Sequence, residues 1–168
     1  TLSLVTVLTT PALAQLNIEV VGAGMQRISV AVPNFAGDES LGREIATTVR
    51  NDLNSSGLFK VINTDSLVAE ENSPVDFNAW KTRGADALAT ATATRPGGQI
   101  EVRVRVADIV KRGSLGNTTI TVPGNQMRLA GHKVADFFRA RLPAALFAHP
   151  AFKATVAVAD NIAPPRAE

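Results

Sequence analysis

The chain has 168 residues, of which 45% are hydrophobic and 19% charged, a composition typical of one globular domain with a sizeable core. It contains no cysteine, which excludes disulfides, thiolate chemistry and cysteine-ligated metal sites. Its net charge is +2, and the residues after Phe138, four basic and two acidic, account for all of it. Because a phosphate-binding surface needs clustered lysine and arginine, this charge pattern argues against a nucleic-acid partner.

The first 14 residues have the pattern of a secretory signal peptide. An apolar run over residues 2–8 is followed by Pro11 and by Ala12-Leu13-Ala14, a small-residue pattern typical of a cleavage site. The run is too short to span a bilayer. We therefore predict a truncated signal peptide over residues 1–14, a mature start at Gln15 and a location outside the cytosol. An ordinary N-terminal strand is the alternative.

The segment after the predicted cleavage site, residues 15–24, has the periodicity of a strand. Leu16, Ile18 and Val20 alternate with polar residues, and Gly22-Ala23-Gly24 ends the alternation. Two interpretations fit this pattern. The segment is either a mobile strand that pairs with the sheet of a partner, or an edge strand of the chain's own domain.

The next stretch predicts a strand, a helix and a second strand. Residues 28–32 are apolar and largely β-branched, and the missing N–H of Pro33 ends the ladder there, before a short loop. Asp38 and the two residues after it offer oxygens to the first N–H groups of a helix. Gly57 ends this helix and the apolar run 58–62 follows it. One helical stripe would face the sheet: Leu41, Ile45, Val49 and Leu53.

The remaining elements complete an α/β domain. Residues 63–76 are polar and irregular. After them we predict a helix over 77–84, strands over 85–94 and 100–106 joined by Arg95-Pro96-Gly97-Gly98, a turn over 111–117 and a strand over 118–122. A second long helix follows, with Asn125 as its N-cap. Gly131 lies on its apolar face and predicts a close approach to the sheet. Pro143 and later prolines should interrupt any long helix.

No residue pattern indicates catalysis or a bound cofactor. His132 and His149 have no second ligand at a fixed spacing, and the carboxylates are adjacent pairs, such as Asp38 with Glu39, that cannot face each other across a substrate. Arg103 and Arg105 could contact phosphate, but on the wet face of a hairpin they are more often solvated. We predict that the chain is not an enzyme and takes no metal, cofactor or small-molecule substrate.

Five stretches together resemble the N-terminal α/β domain of the TolB family. They are Leu16-Asn17-Ile18-Glu19-Val20, the run 28–35 (Ile-Ser-Val-Ala-Val-Pro-Asn-Phe), the run 53–59 (Leu-Asn-Ser-Ser-Gly-Leu-Phe), the run 79–88 around Trp80, and the run 125–136 around Gly131-His132. The resemblance covers roughly residues 12–138. It implies a single α/β domain, here over residues 25–138, with a mixed five-stranded sheet and packed helices similar to an anticodon-binding domain.

The resemblance also implies a function. It points to a periplasmic, non-enzymatic adaptor of the Tol-Pal system, active in outer-membrane integrity, cell division and protein import. Its partner would be a TolA-like inner-membrane protein, and the binding segment would be the mature N-terminus: Gln15, Leu16, Asn17, Ile18, Glu19, Val20, Val21 and Gly22. Binding of a Pal-like lipoprotein is not expected without the family's β-propeller. We expect a monomer.

The sequence departs from the family pattern after Phe138. Residues 139–168 are rich in alanine and proline, and we predict a divergent tail there, produced by a reading-frame shift or a fragment boundary. Two other functions stay open at this stage. The chain could be a nucleic-acid-binding module with the anticodon-binding-like fold, or the non-functional piece of a broken gene.

Overall fold

A mixed sheet of seven strands carries three helices in the computed structural model, which describes residues 27–64 and 66–147. The strands are β1 (Ile28–Ala31), β2 (Asn34–Gly37), β3 (Phe59–Val61), β4 (Val68–Ala69), β5 (Ala87–Thr94), β6 (Gln99–Asp108) and β7 (Gly113–Pro123). The helices are α1 (Glu39–Ser55), α2 (Phe77–Thr82) and α3 (Met127–Phe147). This architecture confirms the predicted α/β class.

The sheet is five strands wide, because two of its rows consist of two strands each. β1 and β2 lie one after the other along the same side of β5, and both run parallel to it. β3 pairs with β1 and β4 with β2, again in parallel. On the other side of β5, β6 and then β7 are added in antiparallel order. The predicted mixed sheet is therefore confirmed, but it has seven strands where five were expected, because two of its five rows are each divided into two strands.

Pro33 interrupts the first row without ending it. β1 stops before the proline, as predicted, but the expected loop after it is wrong, because the chain resumes pairing as β2. The carbonyl of Val32 accepts from Thr64 Oγ1 at 2.8 Å and from Arg50 Nη1 at 2.9 Å. The N–H of Asn34 donates to the carbonyl of Leu67 at 2.9 Å. Side chains and a distant loop thus satisfy the backbone around the proline.

Helix α1 begins and ends where the sequence predicts. Asp38 is its N-cap, and its Oδ1 accepts from the N–H of Leu41 at 3.1 Å. Gly57, one residue beyond the C-cap, has a φ of 72°, the left-handed conformation that glycine adopts without strain. The predicted apolar stripe is fully buried.

The cap predicts a pH dependence of stability. The N–H of Leu41, then the hydroxyl of Ser40 and the charge of Arg95, lower the pKa of Asp38 below its ordinary value of 3.8. A lowered folded-state pKa stabilises the fold fully above 3.8, and this stabilisation is lost as the pH falls through the folded-state pKa. We expect urea denaturation to show wild type more stable than Asp38→Asn at pH 6, with the difference shrinking below pH 3.8. An equal difference in stability between wild type and variant at pH 6 and below pH 3.8 would contradict this expectation.

The helices lie on both faces of the sheet. α1 and α3 cover one face and form the larger core, in which Phe59 and Phe138 meet edge to face with ring centroids 6.0 Å apart. α2 lies on the other face, where Phe77 and Trp80 pack on a smaller cluster around Leu88. The first of these faces therefore contributes most of the hydrophobic stabilisation.

Strand β5 is the centre of the sheet, although its alternating alanine and threonine predict only a weakly apolar strand. Every residue of β5 except Thr94 is buried. Its alanines Ala89, Ala91 and Ala93 lie in the core beneath the helices. The small side chains let the helices pack close to the sheet. β5 therefore stabilises the core by allowing this close packing more than by the apolar area that it buries.

Strand β7 is longer than predicted. It spans eleven residues where five were expected, and the turn before it is correspondingly shorter, with Arg112 at a φ of 55°. The reason is pairing, because β6 offers a ten-residue partner and the ladder extends along all of it. A register shift between Val106 and Ala107 absorbs the extra residue on the β7 side. Cross-strand pairing thus overrides the weak local propensity of Gly-Ser-Leu-Gly.

Helix α3 differs from its prediction at three points. The residue directly before the first turn is Gln126 rather than Asn125, the predicted N-cap. Its carbonyl accepts from the N–H of Ala130 at 3.2 Å. Gly131 approaches α1 rather than the sheet, since a Cβ built on it would lie 2.6 Å from Cβ of Thr48. The helix also continues through Pro143 to Phe147, so the expected interruption is wrong.

Candidate partner-binding site

The predicted binding segment, Gln15 to Gly22, lies outside the residues that the structure describes. What the structure does show is the point to which this segment is attached. The described chain begins at Arg27, one residue before β1. Five residues, 23–27, separate the segment from the first strand residue.

The chain is firmly held from the first residue of β1. The N–H of Ile28 donates to the carbonyl of Leu58 at 3.1 Å. Ser29 and Asp86 then bond reciprocally: the N–H of Ser29 donates to Oδ2 of Asp86 at 2.9 Å, and the N–H of Asp86 donates to the carbonyl of Ser29 at 2.7 Å. The N-terminal segment is therefore attached to an interior strand row of the sheet, next to the β3/β4 edge.

Asp86 is a positioning residue that sequence reasoning did not single out. It precedes β5, and its carboxylate holds the neighbouring strand row. The only signal in the sequence was an acidic residue at the start of an otherwise uncharged strand. Since aspartate is depleted in strands, a carboxylate at such a place indicates a bond to a neighbouring backbone.

The remaining polar candidates have structural roles. His132 Nδ1 lies 2.6 Å from Oδ2 of Asp52 and so connects α3 to α1, whereas His149 lies outside the described residues. Glu39 pairs with Arg43 along α1. In the described part of the chain, no group of three or more His, Cys, Asp or Glu residues could hold a metal ion.

The two arginines of β6 differ in their surroundings. Arg105 donates from Nη2 to the carbonyl of Ser73, so the loop before α2 covers it. Arg103 is exposed. This face of β6 thus offers one exposed arginine, Arg103, for contact with phosphate, where the sequence suggested two. The case for nucleic-acid binding is correspondingly weaker.

A membrane-spanning element is not found among the helices that the structure describes, none of which is long and apolar enough to cross a bilayer.

Comparisons with known proteins agree with this architecture. The sequence family described as the TolB amino-terminal domain matches residues 16–115 of this chain. The Tol-Pal system protein TolB of Dechloromonas aromatica is 43% identical over 132 residues, covering 78% of this chain and 31% of that protein. The corresponding protein of Nitrosospira multiformis is 42% identical over 134 residues, covering 79% of this chain and 31% of that protein.

A solved structure shows the same fold. The crystal structure of TolB from Acinetobacter baumannii superposes with a TM-score of 0.60 at 27% identity, over 70% of this chain and 28% of that one. The chain thus spans about a third of the length of the curated relatives it matches. From the family match, the identity to these relatives and the shared fold, the chain belongs to the TolB amino-terminal domain family.

Proposed function

We propose that this chain is a non-enzymatic adaptor of the Tol-Pal system, which acts in the periplasm and binds a TolA-like inner-membrane protein through residues 15–22. The observation that carries the proposal is its relationship to proteins named for the Tol-Pal system. The family match begins at residue 16, so it includes nearly all of the proposed binding segment. Outer-membrane integrity, cell division and protein import are the processes in which this adaptor would act.

Strand addition is the binding mode that fits the segment. An extended chain that joins the edge of a partner's sheet gains main-chain hydrogen bonds along its length, and its alternate side chains reach one face. Here that face would consist of Leu16, Ile18 and Val20. Asn17 and Glu19 would point to the opposite face, toward solvent.

The arrangement predicts modest affinity. Ordering each residue costs about 1–2 kcal/mol, whereas each main-chain hydrogen bond contributes about 0.5–1.5 kcal/mol net. Burial of three apolar side chains must supply the surplus. We therefore expect transient binding with a Kd in the micromolar range.

The anchor at β1 supports transmission of force through the segment. The first residues of β1 bond to Leu58 and Asp86, the residues that directly precede β3 and β5. A load on the segment would therefore pass into both neighbouring strand rows. A partner attached to the inner membrane could in this way pull on the folded domain without first peeling a strand from its edge.

The decisive experiment is a titration of the full chain with the periplasmic domain of a TolA-like protein by isothermal calorimetry. Ile18→Asp should abolish measurable binding, because it places a carboxylate in the middle of the apolar face. Asn17→Asp is the matched control, since it adds the same charge on the opposite face, and we expect it to bind within about threefold of wild type.

Folding is checked separately, by comparing the thermal unfolding of both variants with wild type. Equal binding by wild type and Ile18→Asp would remove this segment from the mechanism. No binding by the wild-type chain would contradict the adaptor function and favour the broken-gene interpretation.

A further inference from the structure

The two edges of the sheet are protected to different degrees. One edge consists of β3 and β4, which have three and two residues, and β3 carries Lys60. The other edge is β7, which has eleven residues, no charged side chain, and proline only as its last residue. Short strands, charges, prolines and bulges are the usual devices that keep a sheet edge from pairing. β7 is long and uncharged, with one bulge at Leu115 and a proline only at its end, so most of its length has none of these devices.

The outer side of β7 has no strand partner among the residues described. β7 pairs with β6 alone. Its half-buried side chains Leu115 and Ile120 pack at the rim of the larger core, together with Phe137 of α3. An additional strand would bury these three side chains further, as well as satisfy the free main-chain groups of the edge.

Helix α3 carries a row of two cations and an aromatic ring, and the Arg141 end of this row lies against the edge strand. Lys133, Phe137 and Arg141 are four residues apart and therefore lie in one row along the helix. The row is next to β7, because the Arg141 guanidinium lies over Gly116: a Cβ built on that glycine would be 3.4 Å from Cζ of Arg141. The same guanidinium is 5.0 Å from the centroid of the Phe137 ring.

These two cations have no carboxylate partner in the described ranges. The ion pairs found there join Arg43, Arg95, His132 and Arg139 to acidic residues, and neither Lys133 nor Arg141 is among them. Both side chains are exposed. In the part of the chain that the structure describes, α3 therefore carries a cation, an aromatic ring and a second cation in one row, next to a strand whose outer side has no strand partner.

The spacing of this row matches that of a strand. Four residues of a helix rise about 6 Å, and two residues of a strand span about 6.7 Å. A strand added to β7 would therefore place its alternate side chains opposite Lys133, Phe137 and Arg141 in turn. We infer that the outer edge of β7 is a docking site for an extended acidic partner segment, with carboxylates at positions i and i+4 and an apolar side chain at i+2.

Topology argues against the chain's own continuation as a parallel occupant. β7 runs parallel to β1, and α3 lies on the same face as α1. A strand that followed α3 and paired in parallel outside β7 would form a crossover of the opposite hand to the one from β1 through α1 to β3. Because such crossovers are right-handed in about 98% of cases, both cannot obey the rule. The N-terminal segment does not fit either, since Glu19 is its single carboxylate.

The test is an NMR titration of the full isotope-labelled chain with two blocked heptapeptides. One has the sequence Thr-Glu-Thr-Val-Thr-Glu-Thr and the other replaces both glutamates with lysines. We expect the acidic peptide to shift the amide signals of β7 saturably and to slow their hydrogen exchange. The lysine peptide should leave them unchanged at about 1 mM.

A charge-swapped pair of variants makes the test specific. Lys133→Glu with Arg141→Glu should weaken binding of the acidic peptide at least tenfold and allow the lysine peptide to bind. The matched control, Lys81→Glu with Arg128→Glu, changes the net charge equally at exposed positions outside the row, and it should bind as wild type does. Thermal unfolding of each variant confirms that it is folded.

Three outcomes would overturn the inference. They are equal binding of both peptides, signal shifts confined to β3 and β4, and binding that appears only after residues 15–22 are deleted. The last result would show that the chain's own segment occupies the edge. Because the titration uses no TolA-like protein, failure here leaves the proposed adaptor function untouched.

Discussion

Replacing Gly42 with alanine is expected to lower the free energy of unfolding by about 1–3 kcal/mol, the range typical of overpacking. Gly42 lies in the first turn of α1, where the helix crosses β2. A Cβ built there would lie 2.1 Å from the carbonyl oxygen of Phe35 and 2.9 Å from its carbonyl carbon. Both are backbone atoms of a paired strand, so the helix itself must move away.

The sign of this effect is diagnostic. In an unhindered helix, alanine is about 1 kcal/mol more favourable than glycine, so Gly42→Ala would be stabilising if α1 did not press on β2. Urea denaturation of wild type and variant distinguishes the two cases. Gly113→Ala is the matched control, because a Cβ there meets nothing within 4 Å, and its stability should not fall. A Gly42→Ala variant as stable as wild type would contradict this packing of α1 on β2.

Leu142→Ala is expected to cost about 2–5 kcal/mol of stability, the range for removing a large aliphatic side chain from a core. Leu142 is only 3% exposed and belongs to the larger core with Phe138. The effect follows from the lost burial and from the cavity that the missing side chain leaves. It is measured as the shift of the urea unfolding midpoint at constant m-value.

This substitution tests whether the fold extends past Phe138, where the sequence predicts a divergent tail. Leu129→Ala is the control on the same helix, because Leu129 is 38% exposed and its loss should change stability by less than about 0.5 kcal/mol. If Leu142→Ala behaves like Leu129→Ala, the last turns of α3 do not contribute to the core. The domain would then end near residue 138, as the sequence predicts.

The family and the outline of the fold can be predicted from the sequence because their signals are local. The cap at Asp38, the four-residue spacing from Leu41 to Leu53 and the turn at Gly97-Gly98 each depend on residues close together in the chain. The candidate site is different. The N-terminal segment stays a prediction. The row formed by Lys133, Phe137 and Arg141 indicates a docking site only because the fold brings it next to the edge strand β7.

The sequence by itself determined where the helices and most strands begin, since capping, periodicity and turn chemistry act over a few residues. Tertiary structure alone decided that the chain pairs again after Pro33, that β5 lies at the centre and that Gly131 faces Thr48. It also decided that β7, whose outer side has no strand partner among the described residues, lies beside Arg141 of α3. The physical reason is that pairing and packing join residues far apart in the chain, and no local propensity specifies which of them meet.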